Sequence, residues 1–189
     1  LGAQVFPVHR LDLEVSGALL FAKNPSSHRR ASQWFESGQV QKYYEALTPK
    51  VASLDLELNA KMVWRSNLVR GKKRTFTAPH GKPSETHAWA ISFEDEKSAF
   101  VKWRLSPKTG RSHQLRVHLK DNYAPIIGDI LYGSELSFRK VAEQDEICLR
   151  SVELDFERCE GFNELGLPNK IKVDSNLSSW TRGVSKIEN

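Results

Sequence analysis

The stretch HRLDLEVSGALLFAK, residues 9–23, places a carboxylate between a basic pair and an apolar run. Asp12 follows His9 and Arg10 after one leucine, and a Ser-Gly turn separates it from the apolar residues that follow. The run at 17–23 predicts a buried β-strand leaving that turn. An ordinary surface acid needs no such setting, so Asp12 is a candidate for a chemical role.

The residues that follow predict one helix and several strands. Ser26 is placed to cap a helix that runs to Ser37, and Gly38 is a stop signal. Alternating apolar and polar side chains predict further strands at 41–47, 53–62, 85–93 and 98–106.

Three other segments complete the pattern. Residues 70–84 are basic and punctuated by Gly and Pro, which predicts a connection. Residues 111–120 are ambiguous, because their apolar side chains fit both a strand and a helix. From Pro168 onward the chain turns polar and is expected to form a loosely held tail, 168–189. The sequence therefore predicts one α+β domain with several antiparallel strands.

Composition limits the kind of protein further. The chain has 189 residues, of which 39% are hydrophobic, enough for a single domain with a sizeable core. No apolar run approaches the length of a membrane span, and no signal segment is visible. Cys148 and Cys159 fit neither a disulfide framework nor a zinc pattern, which favours a reducing, cytoplasmic setting.

The charge of the chain favours a polyanionic partner. The net charge is +5, and positive side chains concentrate at 27–32, 70–74 and 110–120. Each cluster alone fits a solvated surface, but three clusters in one basic chain indicate a partner such as nucleic acid. Charge alone does not distinguish DNA, RNA and membrane.

Familiar catalytic patterns do not occur in this sequence. No phosphate-binding loop, nucleophile elbow or dinucleotide fingerprint is present. His113 and His118 are five residues apart rather than the four of a helical zinc pair, so we expect no metal site. The candidate segments are 9–12, 41–47 and 109–119, although each also has an ordinary structural explanation.

Four motifs in order resemble the RluA class of pseudouridine synthases: HRLDLEVSGALLFAK, QKYYEAL, TGRSHQLRVHL and IIGDILYG. The resemblance covers roughly residues 8–156 and implies a single catalytic domain, 1–189. It implies a mixed, mostly antiparallel sheet flanked by helices, with the active-site cleft across the sheet and a helix at HQLRVHL. The chain opens without methionine, so the family strands upstream of Val8 are expected to be missing.

The family isomerises uridine in RNA, and the resemblance implies the same reaction here without cofactor or metal. The motifs place Asp12 as the catalytic carboxylate and Arg111 as its ion-pair partner, which keeps it ionised. Tyr44 is expected to stack on the target base, and its hydroxyl is an alternative candidate for proton removal, although its ordinary pKa of about 10 makes it a poor base.

The target nucleotide is expected to be swung out of its stack, with Arg10 filling the gap. The further residues expected to contact RNA are His9, Lys42, Arg29, Arg30, Arg70, Lys72, Lys73, Arg74, His113, Gln114 and Arg116. The implied substrate is large-subunit ribosomal RNA or tRNA, and the protein is expected to be a monomer. Two alternatives remain open at this point: a synthase-like module that only binds or remodels RNA, and a nucleic-acid-cleaving enzyme.

Overall fold

One large, mostly antiparallel sheet dominates the structure. A computed structural model of the protein describes residues 4–52, 56–91, 99–138, 140–141, 144–174 and 184–186. The two α-helices of this described part are α1 (Pro25–Glu36) and α2 (Gln114–Asn122). Short 3-10 turns lie at Ile130–Tyr132 and Phe162–Leu165.

The strands differ greatly in length. The strands that build the large sheet are β2 (Ser16–Gly17), β4 (Gln41–Pro49), β5 (Met62–Arg70), β6 (Thr75–Thr77), β7 (Lys82–Ile91), β8 (Phe100–Pro107), β12 (Leu149–Asp155) and β13 (Lys170–Lys172). Short two-residue pairings are made by β1 (Phe6–Pro7), β3 (Phe21–Ala22), β9 (Leu136–Ser137), β10 (Lys140–Val141), β11 (Gln144–Asp145) and β14 (Ser185–Lys186).

The large sheet has eight strands, in the order β13-β12-β4-β8-β7-β5-β6, and β2 lies beside β13 along the same edge of β12. Every pairing is antiparallel except that of β2 with β12, which is parallel. The predicted α+β class and the mixed, mostly antiparallel sheet are therefore confirmed.

Gly17 fixes the segment that carries Asp12 against the sheet. It pairs with Ser151 of β12, and a Cβ atom at position 17 would lie 2.1 Å from the Ser151 carbonyl oxygen. Its φ of +115° also lies where other residues are strained. Ser151 in turn faces Tyr44 on β4. The backbone itself therefore brings Asp12 close to Tyr44.

Helix α2 packs on the sheet over β5, β7 and β8 and is buried on more than one side. Leu115 and Leu119 join the main core around Trp103, whereas Val117 packs with Leu68 and Tyr132. This explains the ambiguous periodicity of 111–120, because a helix buried all round shows no single apolar stripe.

A buried histidine ties α2 to two strands. His118 is 1% exposed, and its Nε2 lies 2.9 Å from Ser66 Oγ and 3.0 Å from Ser84 Oγ. Its Nδ1 lies 2.8 Å from Thr86 Oγ1. Burial lowers the pKa of His118 to about 4, and Asp121 opposes this only in part.

We expect acid to destabilise the fold through His118. A histidine with a folded-state pKa below its ordinary 6.5 stabilises the native state fully above pH 6.5, and this contribution is lost as pH falls toward 4. The loss is about 2 kcal/mol between pH 7 and 4.5. Urea unfolding of His118→Gln should show a flatter pH dependence across this window than the natural chain. The matched control is His80→Gln at an exposed site, and equal slopes for all three proteins would contradict the assignment.

Two predicted element boundaries near the N-terminus are wrong in detail. The expected strand at 17–23 is split into β2 and β3, because Gly17 turns to β12 while Phe21 and Ala22 pair with β1. The helix begins at Pro25, with the Asn24 side chain accepting a hydrogen bond from the Ser27 amide, rather than after a Ser26 cap. It ends at Glu36, with Ser37 as its C-cap, one residue before the predicted end.

Strand β4 extends two residues beyond the predicted 41–47. The strands predicted at 85–93 and 98–106 correspond to β7 and β8. Residues 92–98 are outside the described part of the chain. Residues 53–62 were expected to form a strand, but 53–55 are not described and 56–61 form no strand. The strand begins at Met62, because Asn59 has a φ of 63° in a turn before it.

Residues 70–84 were expected to form a connection, but part of this segment forms strand pairings. Its backbone turns at Gly71–Arg74 between β5 and β6, and it ends inside β7. Within the expected tail, β13 joins the edge of the large sheet and β14 pairs with β9, so these pieces are polar but held in place. The division of the chain into domains stays a prediction. No helix in the described residues has the length and apolarity needed to cross a membrane.

Candidate active site

A cleft of about 480 Å³ opens where the N-terminal segment, strand β4 and the start of α2 meet. The N-terminal segment contributes residues 9–12, and β4 contributes Lys42 and Tyr44. The loop and first helical turn at 109–116 form the opposite wall. All three candidate segments of the sequence therefore meet in one cavity.

The carboxylate of Asp12 faces a buried guanidinium at the base of this cleft. Arg116 Nη1 lies 3.9 Å from Asp12 Oδ2 and 3.1 Å from Glu14 Oε2. The rest of the guanidinium makes two 2.7 Å hydrogen bonds to Asp129. Arg116 is 1% exposed and lies over the ring of Tyr132, with Cζ 5.1 Å from the ring centroid. Three carboxylates thus surround one fixed cation.

The charge on Arg116 is secure in this environment. Burial acts against it, but hydrogen bonding and attraction from Asp129, followed by Glu14 and Asp12, outweigh burial and raise the pKa of the guanidinium. The bidentate contact with Asp129 also fixes the plane of the guanidinium. Asp12 therefore faces a cation that cannot turn away.

Arg111 was expected to make the ion pair with Asp12, and this expectation is wrong for the structure described here. Arg111 lines the same cleft, but its side chain is exposed and its Nε donates a 3.0 Å hydrogen bond to the Pro83 carbonyl. Among the described residues, the one arginine within 4.0 Å of Asp12 is Arg116. The difference is physical: Arg111 lies in the loop before α2, whereas Arg116 points from the helix into the interior.

Tyr44 lies in the cleft with its ring 9% exposed. Burial raises the pKa of its hydroxyl to about 12; the Ser151 hydroxyl offsets part of this, and the negative charge of Asp12 adds to it. The hydroxyl is therefore protonated at neutral pH, and the ring offers an aromatic surface inside the cavity.

Two histidines of the cleft are used for packing and hydrogen bonding. His9 stacks on Phe35 with centroids 4.4 Å apart, and its Nε2 accepts a hydrogen bond from the Leu20 amide. Burial and, less strongly, the charge of Lys42 lower the pKa of His9 to about 4. His113 Nδ1 lies 2.9 Å from the Tyr132 hydroxyl, and burial lowers its pKa as well. Both imidazoles are neutral at physiological pH.

Gln114 holds the shape of the cleft wall. Its side-chain oxygen accepts hydrogen bonds from Thr109 Oγ1 and the Arg111 amide, and its nitrogen donates to the Glu85 carbonyl and to Thr86 Oγ1. Both donor hydrogens are therefore used within the protein. Gln114 was expected to contact RNA, but the structure assigns it to positioning the 109–111 loop.

The family model described as RNA pseudouridylate synthase matches residues 1–121, which is more than half of the chain. The chain belongs to the RNA pseudouridylate synthase family. The resemblance inferred from the sequence motifs is thereby confirmed.

Similar curated proteins belong to the same family. An uncharacterized RNA pseudouridine synthase of Zymomonas mobilis is 39% identical over 128 residues, which is 67% of this chain and 57% of the relative. The tRNA pseudouridine synthase C of Haemophilus ducreyi is 32% identical over 153 residues, 76% of this chain and 62% of the relative. The chain thus spans less than two thirds of the length of these relatives.

The fold also agrees with a solved structure of the family. The structure titled human RNA pseudouridylate synthase domain containing 1 superposes with a TM-score of 0.71 at 23% identity, covering 97% of this chain and 75% of that one. The predicted pseudouridine synthase fold is therefore confirmed.

Most of the residues that were expected to contact RNA line the cleft of the present protein. The expected residues found there are His9, Arg10, Lys42, Arg70, His113, Gln114 and Arg116. Arg116, however, is buried and paired with acids, so the expectation of an RNA contact is wrong for it. Arg70 donates a hydrogen bond to Ser112 at the cleft wall. The exposed turn 72–74 projects beyond Arg70 as the tip of the β5–β6 hairpin.

The basic residues of α1 lie outside the cleft. Arg30 is paired with Glu164 at 2.7 Å and lies over the Trp34 ring, 5.9 Å from its centroid. This contact ties α1 to the 3-10 turn at Phe162–Leu165, which gives Arg30 a structural role. Arg29 is exposed. RNA contacts at Arg29, Lys72, Lys73 and Arg74 stay predictions.

Two acids that contact Arg116 were not predicted from the sequence. Glu14 and Asp129 complete the surroundings of Arg116, and Asp129 is 1% exposed. A signal for Asp129 was present, because an acid inside the apolar motif IIGDILYG must find a cation if it is buried. In the described residues, no cluster of three or more His, Cys, Asp or Glu side chains has metal-site geometry.

Proposed function

We propose that this protein converts specific uridines in structured RNA to pseudouridine, with Asp12 as the catalytic carboxylate. The observation that carries this proposal is the position of Asp12 in a cleft, 3.9 Å from a buried arginine and beside an aromatic ring. Family membership supports the reaction class.

The proposed reaction is an isomerisation, so its atoms balance without a co-reactant. The bond between C1′ of the ribose and N1 of uracil breaks, and a bond between C1′ and C5 forms after the uracil turns. The C5 proton leaves, and N1 takes up a proton. The carboxylate of Asp12 assists glycosidic cleavage, either by attacking covalently or by promoting a glycal.

Arg116 presents a fixed positive charge to this carboxylate. Its guanidinium lies 3.9 Å from Asp12 Oδ2 and is itself fixed by two hydrogen bonds to Asp129. Arg111 remains at the mouth of the cleft with an exposed side chain, where it can pair with an RNA phosphate. The two arginines of the TGRSHQLR motif thus have different tasks.

Tyr44 provides a stacking surface for the target base. Stacking of a base on an aromatic ring contributes about 1–3 kcal/mol. A hydroxyl with a pKa near 12 carries almost no negative charge at neutral pH, which favours stacking over direct proton removal in the free protein.

The position of Asp12 inside a cleft favours a target nucleotide that has left its stack. Flipping costs a few kcal/mol, and less in a loop. Arg10 lies at the cleft and is proposed to fill the vacated space. The basic hairpin tip at 72–74 supplies phosphate contacts next to Arg70.

The candidate substrates are tRNA and large-subunit ribosomal RNA. The name of the Haemophilus ducreyi relative supports tRNA. A monomeric state and a cytoplasmic location complete the proposal.

One assay separates the proposed reaction from its alternatives. The protein is incubated with tRNA and ribosomal RNA carrying uridine tritiated at C5. Isomerisation releases tritium to water, whereas cleavage shortens the RNA and simple binding does neither. We expect tritium release with intact RNA. Binding without release would favour the alternative of an RNA-binding or remodelling module.

A further inference from the structure

A second pocket adjoins the catalytic cleft on the side of helix α1. It measures about 260 Å³ and shares a wall with the cleft, formed by Lys42 and the loop at 107–111. Its other sides are the C-terminal end of α1 and Arg158, which follows β12. The second pocket therefore lies next to any RNA strand that leaves the cleft on this side.

The lining of this pocket is strongly positive. Lys42, Lys108, Arg111 and Arg158 line it, against a single carboxylate from Glu36. Among the described residues, none of the four cations forms an ion pair within 4.0 Å. An excess of positive charge therefore stays without a partner inside the free protein.

Lys108 shows the effect of this crowding. Burial, followed by the charges of Arg158 and Lys61, lowers the pKa of its ammonium group, and Glu85 opposes this. Like charges held together in a concave, partly buried site favour the uptake of an anion.

The surroundings of Arg116 at the base of the cleft are acidic, although the cleft lining also includes Arg10, Lys42, Arg70 and Arg111. There, Asp12, Glu14 and Asp129 surround the single charge of Arg116. A phosphate is repelled by this cluster, so a nucleotide whose base enters the cleft must keep its phosphates outside. The adjoining pocket suits them, because it shares Lys42 and Arg111 with the cleft and adds Lys108 and Arg158.

We propose that the second pocket binds the backbone phosphate next to the target uridine, through Lys108 and Arg158. This inference rests on the proposed function for the position of the uridine, and it adds two residues that no sequence motif indicated. Arg158 offers a forked donor pair for a phosphodiester, and Lys108 offers a compact charge.

The test compares two exposed lysines in binding to a short RNA. Fluorescence anisotropy measures the affinity of a labelled 11-nucleotide strand, one uridine flanked on each side by five adenosines, between 25 and 200 mM salt. Lys108→Ala should bind roughly tenfold more weakly than the natural chain, because it loses a charged hydrogen bond. The log-log salt slope should fall by about 0.7. Lys50 follows the end of β4, whereas Lys42 of the pocket lies at its start. Lys50→Ala should therefore leave the affinity and the salt slope unchanged.

A second strand shows which phosphate is involved. In it, the two phosphates flanking the uridine are neutral methylphosphonates. This change should weaken binding to the natural chain and to Lys50→Ala, and it should weaken binding to Lys108→Ala clearly less, since Arg158 remains in that variant but Lys108 is lost. The inference is overturned if Lys108→Ala behaves like Lys50→Ala, if the methylphosphonates weaken all three proteins equally, or if the natural chain does not bind the strand. If the binding results are as expected but the natural chain releases no tritium from C5-labelled RNA, the phosphate site stands and the proposed function is rejected.

Discussion

The Asp12→Asn variant should release no tritium from C5-labelled RNA, a loss of roughly 10³-fold or more. The amide has the size of the carboxylate but lacks the charge that assists cleavage of the glycosidic bond. Arg116 remains buried and paired with Asp129 and Glu14, so the fold should survive. RNA affinity should stay within about 1 kcal/mol of that of the natural chain, since a negative charge has been removed from the cleft.

The matched control is Glu36→Gln, which removes a different carboxylate from the wall of the same cleft. Its rate of tritium release should stay within a few-fold of that of the natural chain, because Glu36 is exposed and is not paired with Arg116 in the described structure. Normal turnover by Asp12→Asn would refute the proposed role of this carboxylate.

The Arg116→Met variant should lose about 3–5 kcal/mol of unfolding free energy, because Asp129 would be left buried without its cation. Urea denaturation at pH 7 measures this loss. Any fraction that folds should also lose activity, because Asp12 no longer faces a fixed positive charge.

The control for this prediction is Arg111→Met, five residues earlier in the same motif. Its side chain is exposed, so its unfolding free energy should change by about 0.5 kcal/mol or less. The double variant Arg116→Met with Asp129→Leu should recover part of the lost stability, because it removes the uncompensated charge. Equal stability of Arg116→Met and Arg111→Met would contradict the interpretation of the buried network.

The sequence motifs predicted the family, because each motif can be recognised within a short stretch of chain. Through the family resemblance they also predicted that segments 9–12, 41–47 and 109–119 meet in one site. Asp12, Tyr44 and the 109–116 segment do share one cleft. Which arginine faces Asp12 was beyond the sequence. Arg111 and Arg116 have the same chemistry, and the choice depends on the direction of helix α2 relative to the sheet.

The errors in the predicted secondary structure also come from contacts between distant parts of the chain. The alternating pattern at 53–62 resembles a strand, but the turn at Asn59 delays strand β5 to Met62. The apolar run at 17–23 predicts one strand, whereas its backbone bonds go to two different partners. Both outcomes depend on pairing between distant residues, which local periodicity does not contain.

The close contact between Gly17 and β12 has a consequence for how new targets can arise in this scaffold. Main-chain bonds from Ala18 to Ser151 and from Ile147 to Glu14 hold the segment without using the side chain of Leu13, which is 79% exposed. Position 13 can therefore change without loosening the main-chain contacts that hold the neighbouring Asp12. If Asp12 has the proposed catalytic role, substitutions at position 13 are a way to vary the surface beside it while the backbone at Asp12 is kept.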